Sequence, residues 1–271
     1  MTAAEAQPAL LLPAMSLWRR EVVRFLRQRS RIVGALGTPV VFWLLIGSGL
    51  RNSFRIDAVA GTRHPAEEMD YLEFFFPGTL VLIVLFTAIF ATISIIEDRR
   101  EGFLQAVIAA PVRRLSIVLG KVLGSATLAI GQAMLFLLLA PLAGAPLSPV
   151  SFIAVSVALV PIAFGLSALG VLLAWPMEST QGFHAVMNLF LIPMWLLSGA
   201  LFPAEGASGW VRWIMAANPL TYCVWTVRHA MYVRGGAHPA LAVSPGVAIG
   251  VTILFGIVMM LAAERVVSRS I

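Results

Sequence analysis

A serine and two histidines are the side chains of this sequence whose types and spacing could perform covalent chemistry. Ser208 lies in the run Gly206-Ala207-Ser208-Gly209, His184 precedes Asn188 by four residues, and His238 follows farther along the chain. A serine hydroxyl becomes a nucleophile for acyl transfer when a histidine base lies within hydrogen-bond reach. Whether these residues meet depends on the elements that carry them.

The composition requires a lipid environment. Hydrophobic residues make up 59% of the 271 residues and charged residues only 12%, whereas soluble domains carry roughly 25% charged residues. Several apolar runs reach about 20 residues, the length of a membrane-crossing helix. The one cysteine, Cys223, excludes an internal disulfide and a cysteine-based metal cluster. The net charge of +6 is gathered beside the apolar runs, which indicates membrane topology and not nucleic-acid binding.

The apolar runs predict an all-α membrane protein with six transmembrane helices. We expect a flexible N-terminus at residues 1–13 and a single transmembrane domain at 14–267, with spans at about 32–50, 74–96, 116–142, 150–174, 183–202 and 244–263. Residues 14–31 alternate apolar residues and arginines at helical spacing. This pattern predicts an interfacial helix, with the key residues Trp18, Arg19, Arg20, Arg24 and Phe25.

The basic residues predict the orientation. Thirteen Lys and Arg residues fall on the side that holds both termini and the 97–121 connection, and six fall on the other side. By the positive-inside rule, both termini are cytoplasmic. On the outer side, residues 203–243 are too apolar for an ordinary loop, and their apolar stretches are too short to span. We expect re-entrant or interfacial helices there.

The spans hold no Asp, Glu or Arg near their centres, although ion-coupled transporters need such groups. Lys121 begins the third span and is expected to extend its ammonium group to the membrane surface. The sequence has no G-x-x-x-x-G-K-[ST] phosphate loop. We therefore expect no cofactor on this chain, and the energy for any work comes from another polypeptide.

The predicted spans also bear on the serine and histidine set, which resembles the motifs of rhomboid intramembrane proteases. In that family the histidine and serine motifs lie on helices separated by another crossing. Here Ser208 follows the helix that carries Asn188, and no full span separates Ser208 from His238. We therefore interpret the Gly-Ala-Ser-Gly run as a turn and predict no catalytic residues.

The connection between the second and third spans, residues 97–114, combines clustered charge with a short amphipathic helix. The run Glu97-Asp98-Arg99-Arg100-Glu101-Gly102 opens it, Phe103 and Leu104 begin an apolar pattern at helical spacing, and Pro111 ends the helix. A rigid helix on the inner face could transmit force to a soluble partner. A solvated loop that follows the positive-inside rule is the alternative.

These residues carry a resemblance to ABC-2 type exporter permeases. The opening acidic and arginine run, Ala110-Pro111-Val112-Arg113-Arg114 and Gly120-Lys121 resemble the second-to-third span connection of that family. The stretch from Leu197-Ser198-Gly199 to Phe202-Pro203, then Trp210, Asn218-Pro219-Leu220-Thr221-Tyr222 and Arg228, resembles its fifth span and outer re-entrant helices. Trp225 stands where the family often has an acid. The resemblance extends over residues 14–267.

The resemblance implies a permease subunit of an ATP-driven exporter in the bacterial plasma membrane. Two permease chains, expected as a homodimer, would form the pathway, and two cytosolic ABC ATPase subunits would bind ATP beneath it. The 97–114 helix would be the coupling helix. The drug-exporting and nodulation lipo-oligosaccharide branches are the most similar, and the uncharged spans favour an amphipathic cargo. Membrane lipid is the other expected partner.

Two alternatives stay open at this point. A passive channel or membrane scaffold would also lack charges in its spans, although it would not need an amphipathic helix between two charge clusters.

Gly120 and Gly124 form a G-x-x-x-G pair in the third span, which would allow close helix packing at a dimer seam. Chance is the other explanation for that pair, because glycine is common in this chain.

Overall fold

In a computed structural model of the chain, the described residues are 10–50, 70–145, 147–232 and 243–269. Six helices are long and apolar enough to cross a membrane, which confirms the predicted fold class. The spans are α2 (Arg29–Gly49), α3 (Tyr71–Arg100), α5 (Arg114–Leu137), α6 (Pro149–Ala174), α7 (Thr180–Trp195) and α10 (Pro245–Arg269). The α-helices that do not span are α1 (Leu11–Arg27), α4 (Phe103–Ala109), α8 (Gly209–Ala217) and α9 (Pro219–Met231).

Helix α3 is the centre of the bundle. In its apolar stretch of 18 residues, 89% of the residues are buried, compared with 22% in the corresponding stretches of α2 and α10. It packs against α2, α5 and α6. Its 30 residues correspond to about 45 Å, which exceeds a hydrocarbon core of about 30 Å. The helix therefore extends past the membrane core, and its last turn contains the charged residues that the sequence analysis assigned to a loop.

Close helix contacts depend on small residues. A Cβ atom added at Gly165 of α6 would lie 3.0 Å from the Cα atom of Gly256 on α10. One added at Gly170 would lie 2.9 Å from the Cγ2 atom of Thr92 on α3. Because larger side chains cannot fit at such distances, glycine sets the spacing of α6 from α3 and α10.

Helix α1 lies lengthwise against the inner half of α5. The hydroxyl of Ser116 donates to the carbonyl of Leu10 at 2.8 Å, and the Trp18 indole donates to Thr127 at 3.0 Å. A helix is thus present where the interfacial helix was predicted, and it begins at Leu11, inside the segment predicted to be flexible. Residues 1–9 lie outside the described part of the chain.

The glycine pair of the third span seats α1 and is not free for a dimer seam. A Cβ atom added at Gly120 would lie 2.6 Å from the Cβ atom of Leu17, and one added at Gly124 would lie 2.6 Å from the Cβ atom of Glu21. The dimer-seam hypothesis for these glycines is therefore wrong. The motif does serve close packing, but its partner belongs to the same chain.

The outer segment after α7 follows the expectation of short helices. The fifth span continues past Trp195 through a widened turn, Leu196–Ala200, in which Gly199 has a φ of 76°. A left-handed residue favours glycine because it has no Cβ atom. Helices α8 and α9 follow, and both are too short to cross a bilayer. Residues 233–242 lie outside the described residues.

Candidate functional site at the inner face

The charged run after the second span is part of α3. The helix continues to Arg100, so Glu97, Asp98, Arg99 and Arg100 form its last turn. Gly102 then adopts a φ of 79° and turns the chain into α4, which ends at Ala109 shortly before Pro111. The prediction of a loop for the whole run is therefore wrong for its first four residues.

Asp98 is the centre of a buried charge cluster that joins α1 to α3. Its side chain is 0% exposed and accepts a bidentate pair from Arg20, at 2.9 and 2.6 Å. Arg24 donates to the same carboxylate at 2.6 Å. Arg24 also donates to Glu97 at 2.9 Å and to Glu101 at 3.3 Å. The cluster therefore joins α1 to the start of the 97–114 connection, two segments that no local sequence pattern links.

Lys121 completes this cluster from α5. Its side chain is buried, at 2% exposed, and its Nζ atom lies 2.6 Å from Glu21 and 2.5 Å from Asp98. Glu21 also accepts a bond from the hydroxyl of Ser94 at 2.6 Å. The prediction that Lys121 extends to the membrane surface was wrong, because α1 covers the lysine and supplies its counter-ion.

The electrostatics of the cluster depend on mutual neutralisation. Burying an unpaired charge costs roughly several kcal/mol. This cost is offset only where the charged group has an oppositely charged partner and all of its hydrogen bonds are made. Here Arg20, Arg24 and Lys121 face Glu21, Asp98 and Glu97. Burial alone would lower the pKa of Arg20, but the hydrogen bond and charge of Asp98 outweigh it, so this pKa lies above its ordinary value. Removing one member leaves its buried partners with fewer opposite charges.

Glu21, Ser94 and Lys121 were missed as site residues. A signal was present in the sequence, since Glu21 is the single acid of an arginine-rich helix and Lys121 the single lysine of the chain. Two isolated opposite charges on apolar helices predict a pair. Their separation of 100 residues along the chain hides that pairing from any local pattern.

The two remaining arginines of the run tie α3 to the inner end of α6. Arg99 donates to the carbonyls of Trp175 and Met177, at 2.5 and 3.0 Å. Arg100 donates to the carbonyl of Glu178 at 3.2 Å. These carbonyls follow the end of α6, where helical partners for them are absent. Both arginines are thus engaged within the chain.

Helix α4 is displayed beyond this anchored turn. Leu104 is buried, whereas Gln105 and Ala106 are exposed, as are Glu101 and Gly102. The Phe103 ring lies under the Arg20 guanidinium, 3.7 Å from it, so α4 also contacts α1. At the other end of the connection, Arg113 and Pro111 are exposed, and Arg114 donates to the carbonyl of Ser268 on α10 at 2.5 Å.

A second polar cluster lies at the outer ends of the spans. Arg228 of α9 is 1% exposed and donates to the carbonyls of Gly199 and Phe74, at 2.8 and 3.4 Å. Its guanidinium lies 4.3 Å from the Phe74 ring. Asn218 donates to the carbonyl of Met194 at 2.5 Å. We call this set the outer clamp, because it fixes α9 to the widened turn of the fifth span.

The other residues predicted for the outer segment lie around this clamp. Pro203 precedes a short turn at Ala204–Gly206, and Pro219 is the first residue of α9. Tyr222 donates to the carbonyl of Ala216 at 2.8 Å, which joins α8 to α9. Trp210 is exposed, as an aromatic residue at headgroup depth would be.

A groove of about 660 Å³ lies between α2, α3 and α7. Its lining combines aromatic and polar side chains, namely Thr38, Phe86, Phe90, Glu97, His184 and Asn188 among others. The rings of Phe86 and Phe90 are stacked at 5.5 Å, and His184 lies 5.6 Å from Phe90. Such a mixed lining suits a ligand with both apolar and hydrogen-bonding parts.

The same contacts separate the serine and histidine set of the opening hypothesis. His184 and Asn188 line the groove beside α3, whereas Ser208 precedes α8 in the outer segment. His238 lies outside the described residues. The described geometry therefore assigns His184 and Asn188 to the groove.

Comparison with known proteins adds three relatives and one family. A family model described as ABC-2 type transporter matches residues 14–232. The chain is 26% identical over 215 residues to putative transport permease ycf38 of Cyanophora paradoxa, covering 78% of this chain and 71% of that protein. It is 26% identical over 233 residues to nodulation protein J of Neorhizobium galegae, covering 84% of each. It is 28% identical over 190 residues to ABC transporter G family member 20 of Dictyostelium discoideum, covering 68% of this chain and 25% of that relative.

Proposed function

Because the chain belongs to the ABC-2 type transporter family, and is thus a multi-pass membrane transport permease, we propose that it is the pathway subunit of an ATP-driven exporter. In this proposal ATP is bound and hydrolysed by separate cytosolic ABC ATPase subunits, and the permease itself is not catalytic. A second, identical permease chain completes the pathway. The protein resides in a bacterial plasma membrane with both termini in the cytoplasm, in keeping with the distribution of its basic residues.

The observation that carries this proposal is the way α4 is mounted. Its exposed face, with Gln105 and Ala106, is available to a soluble partner. Directly behind it, Gly102 joins it to the last turn of α3, where Asp98 is held by cations of α1 and α5. A displacement of α4 would therefore be transmitted to α1, α3 and α5 together. A passive channel gains nothing from such an arrangement.

The groove between α2, α3 and α7 supports an amphipathic cargo. It is open to the side of the single chain, so a second copy against α2 and α7 would enclose it. Both helices expose apolar side chains, including Val41, Leu45, Leu189 and Phe190. Stacked phenylalanine rings would hold an apolar group, while Asn188 and Thr38 would bind a polar one. These features favour drug-like or lipid-like molecules over ions.

Purification of the tagged full-length chain from its native host tests the proposal. The wild-type chain should retain a subunit that hydrolyses ATP. Ala106→Trp adds bulk to the exposed face of α4 and should reduce retention of that subunit at least tenfold. Ala216→Trp, at an exposed alanine of the outer helix α8, is the matched control and should retain it.

One result would overturn the exporter assignment, and another would overturn the role given to α4. One is a purified chain that conducts solute across vesicles without any ATPase, which would indicate a passive channel. The other is undiminished ATPase retention by the Ala106→Trp chain, which would remove α4 from the interface.

A further inference from the structure

The junction between α1 and α2 combines exposed arginines with exposed apolar side chains. Arg19 and Arg27 are both exposed on α1. Leu26 is 58% exposed and Val33, at the start of α2, is 69% exposed. We call the surface formed by Arg19, Leu26, Arg27 and Val33 the elbow. Large apolar side chains at this exposure indicate contact with lipid in a membrane protein.

The arginines of α1 divide into two groups. Arg20 and Arg24 are engaged by acids of α3. Arg19 and Arg27 have no acid within salt-bridge distance among the described residues, and both are exposed. Within the described part of the chain, the elbow therefore presents two cations without an acidic partner.

The packing of the elbow sets its depth. Phe25, the neighbour of Leu26, packs in one cluster with Ala91 and Leu128, and Ile32 packs against the same cluster. Ala91 is nine residues before the end of α3, which corresponds to about 14 Å. Since α3 is about 15 Å longer than the hydrocarbon core, a centred helix places this cluster about 7 Å beneath the inner boundary. Arginine side chains at that depth extend to the phosphate level.

Arg19 lies higher on the same helix. It precedes Arg27 by eight residues, or about 12 Å along α1. Because the N-terminal part of α1 follows α5 toward Ser116 and the cytoplasm, Arg19 lies at or above the headgroups while Arg27 lies at their base. The two guanidinium groups thus bracket one layer of phosphates.

We propose that the elbow is a binding site for an anionic phospholipid of the cytoplasmic leaflet. Arg27 and Arg19 bind its phosphate and headgroup, and an acyl chain lies over Leu26 and Val33. An acidic protein segment would satisfy the charges but not cover the apolar side chains, whereas a phospholipid does both. The leaflet follows from the proposed orientation of the chain, but the lipid preference itself does not depend on transport.

Lipid retention by the full-length chain tests this site. The protein is reconstituted in vesicles of phosphatidylcholine and phosphatidylglycerol at 4:1, extracted in mild detergent, and its retained lipids are quantified by mass spectrometry. The wild type should be enriched in phosphatidylglycerol. Arg19→Gln and Arg27→Gln should each reduce the enrichment about fivefold, the effect expected of one arginine near an anionic surface.

Two further variants keep the test sharp. R19K/R27K retains the charges and should retain most of the enrichment, which separates lipid binding from misfolding. R265Q/R269Q removes two exposed arginines of α10 from the same side of the membrane and should leave the enrichment unchanged.

The proposal is overturned if R19Q/R27Q and R265Q/R269Q lose enrichment equally, because the preference would then reflect overall charge. It is also overturned if inorganic phosphate alone raises the thermal stability of the chain as much as phosphatidylglycerol does, since the site would then bind an anion and not a lipid. Neither result bears on ATPase retention, so a failure here is distinct from a failure of the proposed exporter.

Discussion

Replacing Lys121 by methionine should destabilise the chain more than any other single change at the inner face. The lysine lies 2.6 Å from Glu21 and 2.5 Å from Asp98 and is 2% exposed. Asp98 keeps Arg20 and Arg24 in the variant, but Glu21 loses its closest cation and keeps the Ser94 hydroxyl and the Arg20 guanidinium, which lies farther away at 3.4 Å. Removing one partner of a buried ion pair costs about 3–5 kcal/mol when nothing replaces it. We expect Lys121→Met to lower the free energy of unfolding by about 3 kcal/mol, the lower end of that range, because Arg20 compensates the carboxylate in part.

The companion variant Glu21→Gln should cost less, about 1–3 kcal/mol, because Lys121 still has Asp98 and only a hydrogen-bond partner changes. The double variant E21Q/K121M no longer has the Glu21 carboxylate that needs a cation. The stability lost by the double variant should therefore be about 1–3 kcal/mol smaller than the sum of the losses in the two single variants, the coupling typical of residues in one network.

The assay is reversible unfolding of the purified full-length chain in mixed micelles, followed by circular dichroism. Leu135→Ala, at a lipid-facing position of the same helix that is 57% exposed, is the control. Its effect should stay within about 0.5 kcal/mol. Additivity of E21Q and K121M within about 0.5 kcal/mol would refute the argument, because it would mean that the two side chains do not share a buried pair.

Three further predictions concern single positions, the first two with matched controls. Arg228→Gln should lower the free energy of unfolding by about 1.5–3 kcal/mol, the value of charged hydrogen bonds, and accelerate amide exchange at the outer clamp, whereas exposed Arg212→Gln should do neither. Gly165→Leu should cost at least about 1–3 kcal/mol by overpacking, while Gly131→Ala, with no atom within 4 Å of the new Cβ, should be neutral in thermal unfolding. Gly102→Ala forces a left-handed backbone at a cost of about 1–2 kcal/mol and should reduce permease-stimulated ATP hydrolysis; unchanged stimulation would contradict the role given to this turn.

The positions of the spans were predictable because hydrophobic length alone determines them. Runs of apolar residues bounded by arginine or proline gave all six helices, with boundaries a few residues from those observed. The inner end of α3 differs from the prediction, because the helix continues through charged residues. Charge normally ends a span, yet Asp98 continues it, because cations from α1 and α5 replace the water that an isolated carboxylate would need. Such compensation depends on tertiary contacts and leaves no mark in the local pattern.

The same limit explains the errors about Lys121 and the glycine pair. The lysine was predicted to contact water at the membrane surface, and Gly120 and Gly124 were predicted to contact a second chain. The true partner of all three is α1, whose amphipathic pattern was recognised but whose apolar face was assigned to lipid. That face carries Glu21, an acid that would be costly in lipid. A lone acid on the apolar side of an interfacial helix is therefore a usable sign that the helix packs on protein.

The distribution of buried cations indicates which part of the chain can move as one body. Asp98 fixes the inner end of α3 to α1 and α5, while Arg228 holds its outer end, through the Phe74 carbonyl, to the turn after α7. In contrast, α2 and α10 contribute few buried side chains. If α4 receives the force of ATP hydrolysis, the rigid unit that responds is α3 together with α1 and α5, and the outer clamp is the joint at which this motion reaches the exit of the pathway.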